Sequence, residues 1–291
     1  AQVDLVAGLV RVAVVDQHSG SFRAMDCDIL DNEGEHGLWL WRRADILNCR
    51  VEGNMVGMFA RSHYEIRGTE FVDNEGSAIA SSGASPSSTI KTTLDDCLFE
   101  NNSGGAVLAN EGHVSDCRFI GNGGTALLVT ESATIERSEF VQNVRGIGCQ
   151  TDALDLTVRA CHFEGHENNS GGAIQANFEG PVVITQSVFL GNKASSQGGA
   201  IRTDCASLVM RGCLLAGNEA ESGGGIYSTD TVDIDLAGCT ITHNSGETGV
   251  GGIFVSEGTM SLKNCVLWNN TGSTGVTETD QISHDGAVVF S

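Results

Sequence analysis

The sequence predicts an all-β solenoid of about eleven coils with three short strands in each, on three observations. A Cys-x-Phe-x-x-Asn register recurs along the chain. Just upstream of each register lies an apolar position, joined from Leu156 onward by a second one two residues earlier. After each Asn, glycines introduce another apolar stretch.

The register opens at Cys27, Cys49, Thr69, Cys97, Cys117, Ser138, Cys161, Ser187, Cys213, Cys239 and Cys265. Its spacings are 22, 20, 28, 20, 21 and 23, then 26 four times running. Its last position is Asn in ten coils of eleven, with His166 as the exception. Three residues before each opening stands an apolar residue, from Ala24 and Ile46 to Met210, Leu236 and Leu262. From Leu156 onward a second sits two residues earlier (Val182, Leu208, Ile234, Met260), which is the strand period. The step of three between the two pairs is a bend, carried by dipeptides such as Arg211-Gly212, Ala237-Gly238 and Lys263-Asn264. Segments such as Gly104-Gly105-Ala106-Val107 and Gly251-Gly252-Ile253 supply the third strand.

No 3.6-residue apolar period appears, which excludes leucine-rich repeats, and propeller blades need about forty residues per unit. A coil of 20 to 28 residues suits a right-handed single-stranded parallel β-helix. Eleven rungs ~4.8 Å apart would stand roughly 50 Å tall. The solenoid is expected over residues 1–270, with 271–291 a C-terminal tail packing on or extending it.

Composition agrees with a repeat protein: 38 Gly, 2 Pro, 5% aromatic and 40% hydrophobic residues. A net charge of −21 with only 16 Lys and Arg repels phosphates, so nucleic acid and anionic membranes are not expected partners. No run of about 18 apolar residues exists, so this segment carries no membrane-spanning helix.

Two inward columns follow from the register. Asn102, Asn122, Asn192, Asn218, Asn244 and Asn270 belong to a structural ladder whose members tolerate left-handed corners and hydrogen-bond from coil to coil. Eight of the ten cysteines stack in the other, as small buried hydrophobes. Neighbours such as Cys97 and Cys117 also come within disulfide range, so pairing stays open. Cys149 and Cys205 lie off the column. No Cys-x-x-Cys occurs, so zinc and redox motifs are absent.

Repeats of the type Gly171-Gly172-Ala173-Ile174 and Phe189-x-x-Asn192 resemble those of polymorphic outer-membrane proteins and, more broadly, the pectate-lyase-like β-helix superfamily. The stretch from Asn264 to Asn270, followed by Asp280-Gln281-Ile282, is similar to the end of bacterial β-helical surface proteins that carry a C-terminal anchor. That resemblance implies an extracellular or cell-surface protein of adhesive character, part of a larger surface protein or assembly.

The superfamily also implies where catalysis would sit. Its lyases hold calcium on several Asp beside an Arg or Lys base. Its hydrolases carry Asn-Thr-Asp, Asp-Asp, Gly-His-Gly and Arg-Ile-Lys in order. Here only Asp95-Asp96 and Gly112-His113, followed by Val114, correspond, so Asp95, Asp96 and His113 are the catalytic candidates. Paired Asp at a corner also reads as a solvated turn. Asp233 and Asp235 flank inward Ile234 and point outward ~7 Å apart. They are the metal candidates, but calcium takes six to eight oxygens, so no cofactor is expected. His166 and nearby His162 read as a polar substitution at a corner.

The outward positions flanking the inward Cys and Phe change character along the chain. Early coils place Arg50 with Glu52, Arg118 with Ile120, and His162 with Glu164 there. Later ones place Val188, Leu190, Leu214, Ala216, Thr240, Thr242, Val266 and Trp268, with no charge among the eight. Such a stripe is either covered by a loop or the tail, or used as an interface with Trp268 as its anchor.

The expected function is therefore a non-enzymatic surface or structural protein that meets subunits or a surface partner through this stripe. A polysaccharide lyase or glycoside hydrolase is one alternative. A carbohydrate-binding module is another, which would need an aromatic row longer than Trp39 and Trp41.

Overall fold

A computed structural model describes residues 3–10, 21–32, 36–81, 90–150, 153–284 and 287–290. Contacts divide the chain into two units, 1–139 and 140–291, and each is a stack of coils in its own right.

In the first unit a coil runs through three strands, for example Leu38–Leu40, Ala44–Leu47 and Arg50–Glu52. Each pairs in parallel with its counterpart one coil on: Met58–Ala60, Tyr64–Arg67 and Glu70–Val72. The offset in the last sheet is uneven, since Arg50 faces Glu70, Glu70 faces Leu98 and Leu98 faces Arg118. In the second unit the same sheet advances by 26 residues each time, His162 to Val188, Leu214, Thr240 and Val266. The longer coil carries an extra parallel ladder of Glu167–Ser170, Lys193–Gln197, Glu219–Ala220 and Ser245–Gly246. Residues that a 20-residue coil lacks are thus ordered by pairing with one another.

Inward residues meet their own kind. Phe71, Phe99 and Phe119 stack at 4.8–5.2 Å between centroids in the first unit. Phe140, Phe163 and Phe189 do so at 4.8 Å in the second. In-register parallel pairing forces this, because each side chain sits one strand spacing from its equivalent.

Two left-handed residues shape every coil. One precedes the register opening, with φ from +49° at Arg137 to +62° at Gly238. The other precedes the ladder position, with φ from +48° at Asp31 to +67° at Gly53. The ladder Asn residues were expected to take this conformation themselves. They do not, and the residue before each one does.

The opening position also has a chemical role beyond bulk. In all eleven coils its S–H or O–H donates to the carbonyl two residues earlier, from Cys27 to Met25 through Thr69 to Arg67 and Ser187 to Thr185. That bond spans the first corner and offsets part of the ~1–2 kcal/mol that a left-handed residue costs. It explains why Cys interchanges there with Ser and Thr but with no aliphatic residue. All ten cysteines are free thiols. Burial pushes Cys49 up to about 11 and Cys149 up to about 12, so both stay protonated and unreactive.

Candidate functional site

The second unit assembles the uncharged stripe as two columns. Val188, Leu214, Thr240 and Val266 form one, and Leu190, Ala216, Thr242 and Trp268 the other. The first six are half-buried, because each is shielded by its neighbours along the column. Val266 and Trp268 are 54% and 69% exposed. The Thr242 hydroxyl donates to the Trp268 carbonyl at 2.7 Å and fixes the backbone that carries the indole.

The tail does not cover this face. Ile282–His284 adds to Ile253–Val255, and Ala287–Phe290 adds to Thr259–Leu262, so two of the three sheets are extended. Gln281 continues the Asn ladder by accepting from Asn270 Nδ2 at 2.8 Å and donating to the Asn270 carbonyl at 2.9 Å. Among the described residues nothing pairs beyond Val266–Trp268, so the third sheet ends in an open edge beside the exposed indole.

The ladder is saturated. Asn218 Oδ1 accepts from the Asn192 side chain at 2.9 Å and its backbone N–H at 3.0 Å. Asn218 Nδ2 donates to Asn244 Oδ1 and to the Phe189 carbonyl. Asn102 and Asn122 are joined the same way in the first unit. With every valence used inside the coil stack, these residues hold structure and offer nothing to a ligand. His166 replaces one member: its Nδ1 lies 3.2 Å from the Asn143 nitrogen, and its own N–H donates to Asn192 Oδ1. Burial lowers its pKa from the usual 6.5 to about 4, so the ring is neutral.

The catalytic candidates do not converge. Asp95 accepts from the Ser115 hydroxyl at 2.7 Å. Asp96 is a left-handed corner residue exposed to solvent. His113 is exposed and registers with Thr93, two positions from Asp95. The metal candidates are also engaged: Asp235 is paired with the Arg211 guanidinium, and Asp233 accepts from Thr259 at 2.7 Å. Among the described residues no three His, Cys, Asp or Glu side chains are grouped to hold a metal ion.

Sequence reading missed a polar cluster on the outer face of the glycine-led strands of the second unit. Gln175, Arg202, Tyr227 and Phe254 register in one column. Arg202 pairs with Asp204 at 2.9 Å, and Asp204 also accepts from the Thr229 hydroxyl at 3.0 Å. Gln197 donates to the Tyr227 hydroxyl at 2.8 Å, and Tyr227 stacks on Phe254 at 4.9 Å. Arg145 donates to the Ser170 carbonyl nearby. Aligning on Ile174, Ile201, Ile226 and Ile253 would have found the column; the spacings of 27, 25 and 27 conceal it.

A protein-family profile described as "Right handed beta helix region" matches residues 36–180 and 108–285. The chain belongs to the right-handed β-helix family. No curated protein and no solved structure matches. As a right-handed β-helix the chain offers its outer faces and strand edges for chemistry, because the interior is filled by its own columns.

Proposed function

We propose that this right-handed β-helix is a non-enzymatic extracellular or cell-surface structural protein, whose second unit meets a second copy of the chain through the uncharged stripe. The observation that carries the reading is the two-column face from Val188 to Trp268, free of charge and ending in an uncovered indole. On a chain of net charge −21, two copies repel almost wherever their surfaces approach. A face without carboxylates is where that repulsion is least. Four coils ~4.8 Å apart and two columns ~7 Å apart form only the centre of a standard contact of about 800 Å² per partner. Trp268 is suited to that centre and polar neighbours to its rim. The carboxylates that catalysis would recruit are held by Ser115, Thr259 and Arg211, which fits a scaffold role.

The test is the solution mass of the wild type against Trp268→Glu. A wild-type oligomer that the substitution reduces to monomers is the expected result. Monomers in both would sink the reading and turn attention to polysaccharide binding and cleavage.

A further inference from the structure

The first unit carries a second, chemically different surface. Outward Trp39 registers with outward Phe59, whose ring meets it edge-on at 5.8 Å. Trp41, two residues on, lies almost coplanar with Trp39, at 10° and 6.1 Å between centroids. The Arg61 guanidinium sits 4.3 Å over the Trp41 ring, and His36 rests against both Trp39 and Phe59. All five side chains are half-buried, so each keeps a solvent-facing part. Aromatic residues make up only 5% of the chain, and most phenylalanines point inward. Gathering three outward rings on two adjacent coils is therefore a local concentration.

The platform leads into a cleft. Two residues beyond Trp41 and Arg61 lie Arg43 and His63, at most about 7 Å along the chain. With Tyr64, Glu65, Lys91 and Thr93 they line a space of about 170 Å³. Its cations are already matched: Arg43 contacts Asp45 at 3.4 Å and Glu65 at 3.3 Å, and Lys91 contacts Glu111 at 3.3 Å. His63 Nδ1 accepts the Lys91 backbone N–H at 2.8 Å, which leaves the neutral ring's proton on Nε2 as a donor. The cleft thus mixes donors (Arg43, His63, Lys91) with acceptors (Glu65, Thr93) and carries no excess positive charge.

We propose that this platform and cleft bind an uncharged oligosaccharide. One sugar lays its C–H face on the indoles, whose ring faces are electron-rich. The next places its hydroxyls among the donors and acceptors of the cleft. A polyanion is disfavoured by the paired cations and by the net charge of −21. A purely apolar ligand would leave the cleft's polar groups unmatched.

The test is tryptophan fluorescence and calorimetric titration of the whole chain with cellohexaose, xylohexaose, mannohexaose and maltohexaose, and with hexagalacturonate as the anionic arm. A Trp268→Phe background isolates the signal of Trp39 and Trp41. Saturable binding of at least one neutral hexaose is expected. It should weaken at least tenfold in Trp41→Ala and far less in Trp41→Phe, which keeps a ring and guards against misfolding. Thr93→Val should weaken it by a smaller factor with the fluorescence change retained. Absence of binding to all four neutral probes, binding indifferent to Trp41→Ala, or a preference for hexagalacturonate would each overturn the proposal.

Discussion

The two units solve one stacking problem differently. The first advances unevenly, by 20 residues or 28, and its outward columns carry charges, Trp and Phe. The second advances by 26 each time in its last sheet, pairs its inserted residues into a ladder of their own, and keeps one outward face free of charge. Equal inserts pair because every one begins and ends in the same register. Unequal inserts leave irregular corners, and a cleft such as that between Arg43 and Lys91 forms at one of them. Regularity therefore favours a flat contact face, and irregularity favours a small-molecule site.

The comparison breaks first at the glycines of the longer coils. A Cβ on Gly199 would lie 2.5 Å from the Gly224 carbonyl oxygen and 2.6–2.7 Å from the Glu219 backbone. Gly199→Ala should destabilise the second unit by at least about 3 kcal/mol, the upper range for an overpacked core. Gly191, left-handed at φ +57° with nothing within 4 Å of its Cβ, should lose only ~1–2 kcal/mol on the same change. Chemical denaturation of the two variants separates close approach from backbone strain.

His166 sharpens the comparison through pH. Its folded pKa of about 4 lies below the unfolded 6.5, so the unfolded chain binds the extra proton. Stability is fully present above about pH 6.5, falls as pH drops toward 4, and levels off below, by roughly 3 kcal/mol in all. His166→Asn should remove that slope, seen in urea melts from pH 7 to 4.

The smallest effect belongs to the charged columns of the first unit. Arg50 pairs with Glu52 at 2.6 Å and also with Glu70, all partly exposed. Arg50→Ala should change stability by about 1 kcal/mol or less, and less still at high salt. A larger loss would show that these columns bind coils together rather than merely coat them.

Much of the fold was legible because parallel stacking repeats one environment, and repeated environments select repeated residues. The Phe stacks, the ladder and the stripe all came from spacing alone. Other features had no such signal. The left-handed corners accept Asp, Asn, Gly, Gln, Arg, Ala and His, so residue identity does not mark them. The opening position reads as hydrophobic from Cys alone, and only its interchange with Ser and Thr hints at the shared donor bond. The Arg202–Asp204 pair and the cleft at His63 join residues from coils of unequal length, where no fixed offset brings them together on paper. The tail hid its role because Gln281 imitates an Asn with a side chain one methylene longer.

The amide ladder of the second unit also has a direction. From Asn192 through Asn218, Asn244 and Asn270 to Gln281, every side-chain N–H points the same way and every C=O the other. The row is a wire of aligned dipoles, polarised along the stack as a helix is along its axis. Such a stack has a grain: a further coil fits only if its own amides run with that grain, because reversal would set donor against donor. Gln281 stops the row without reversing it.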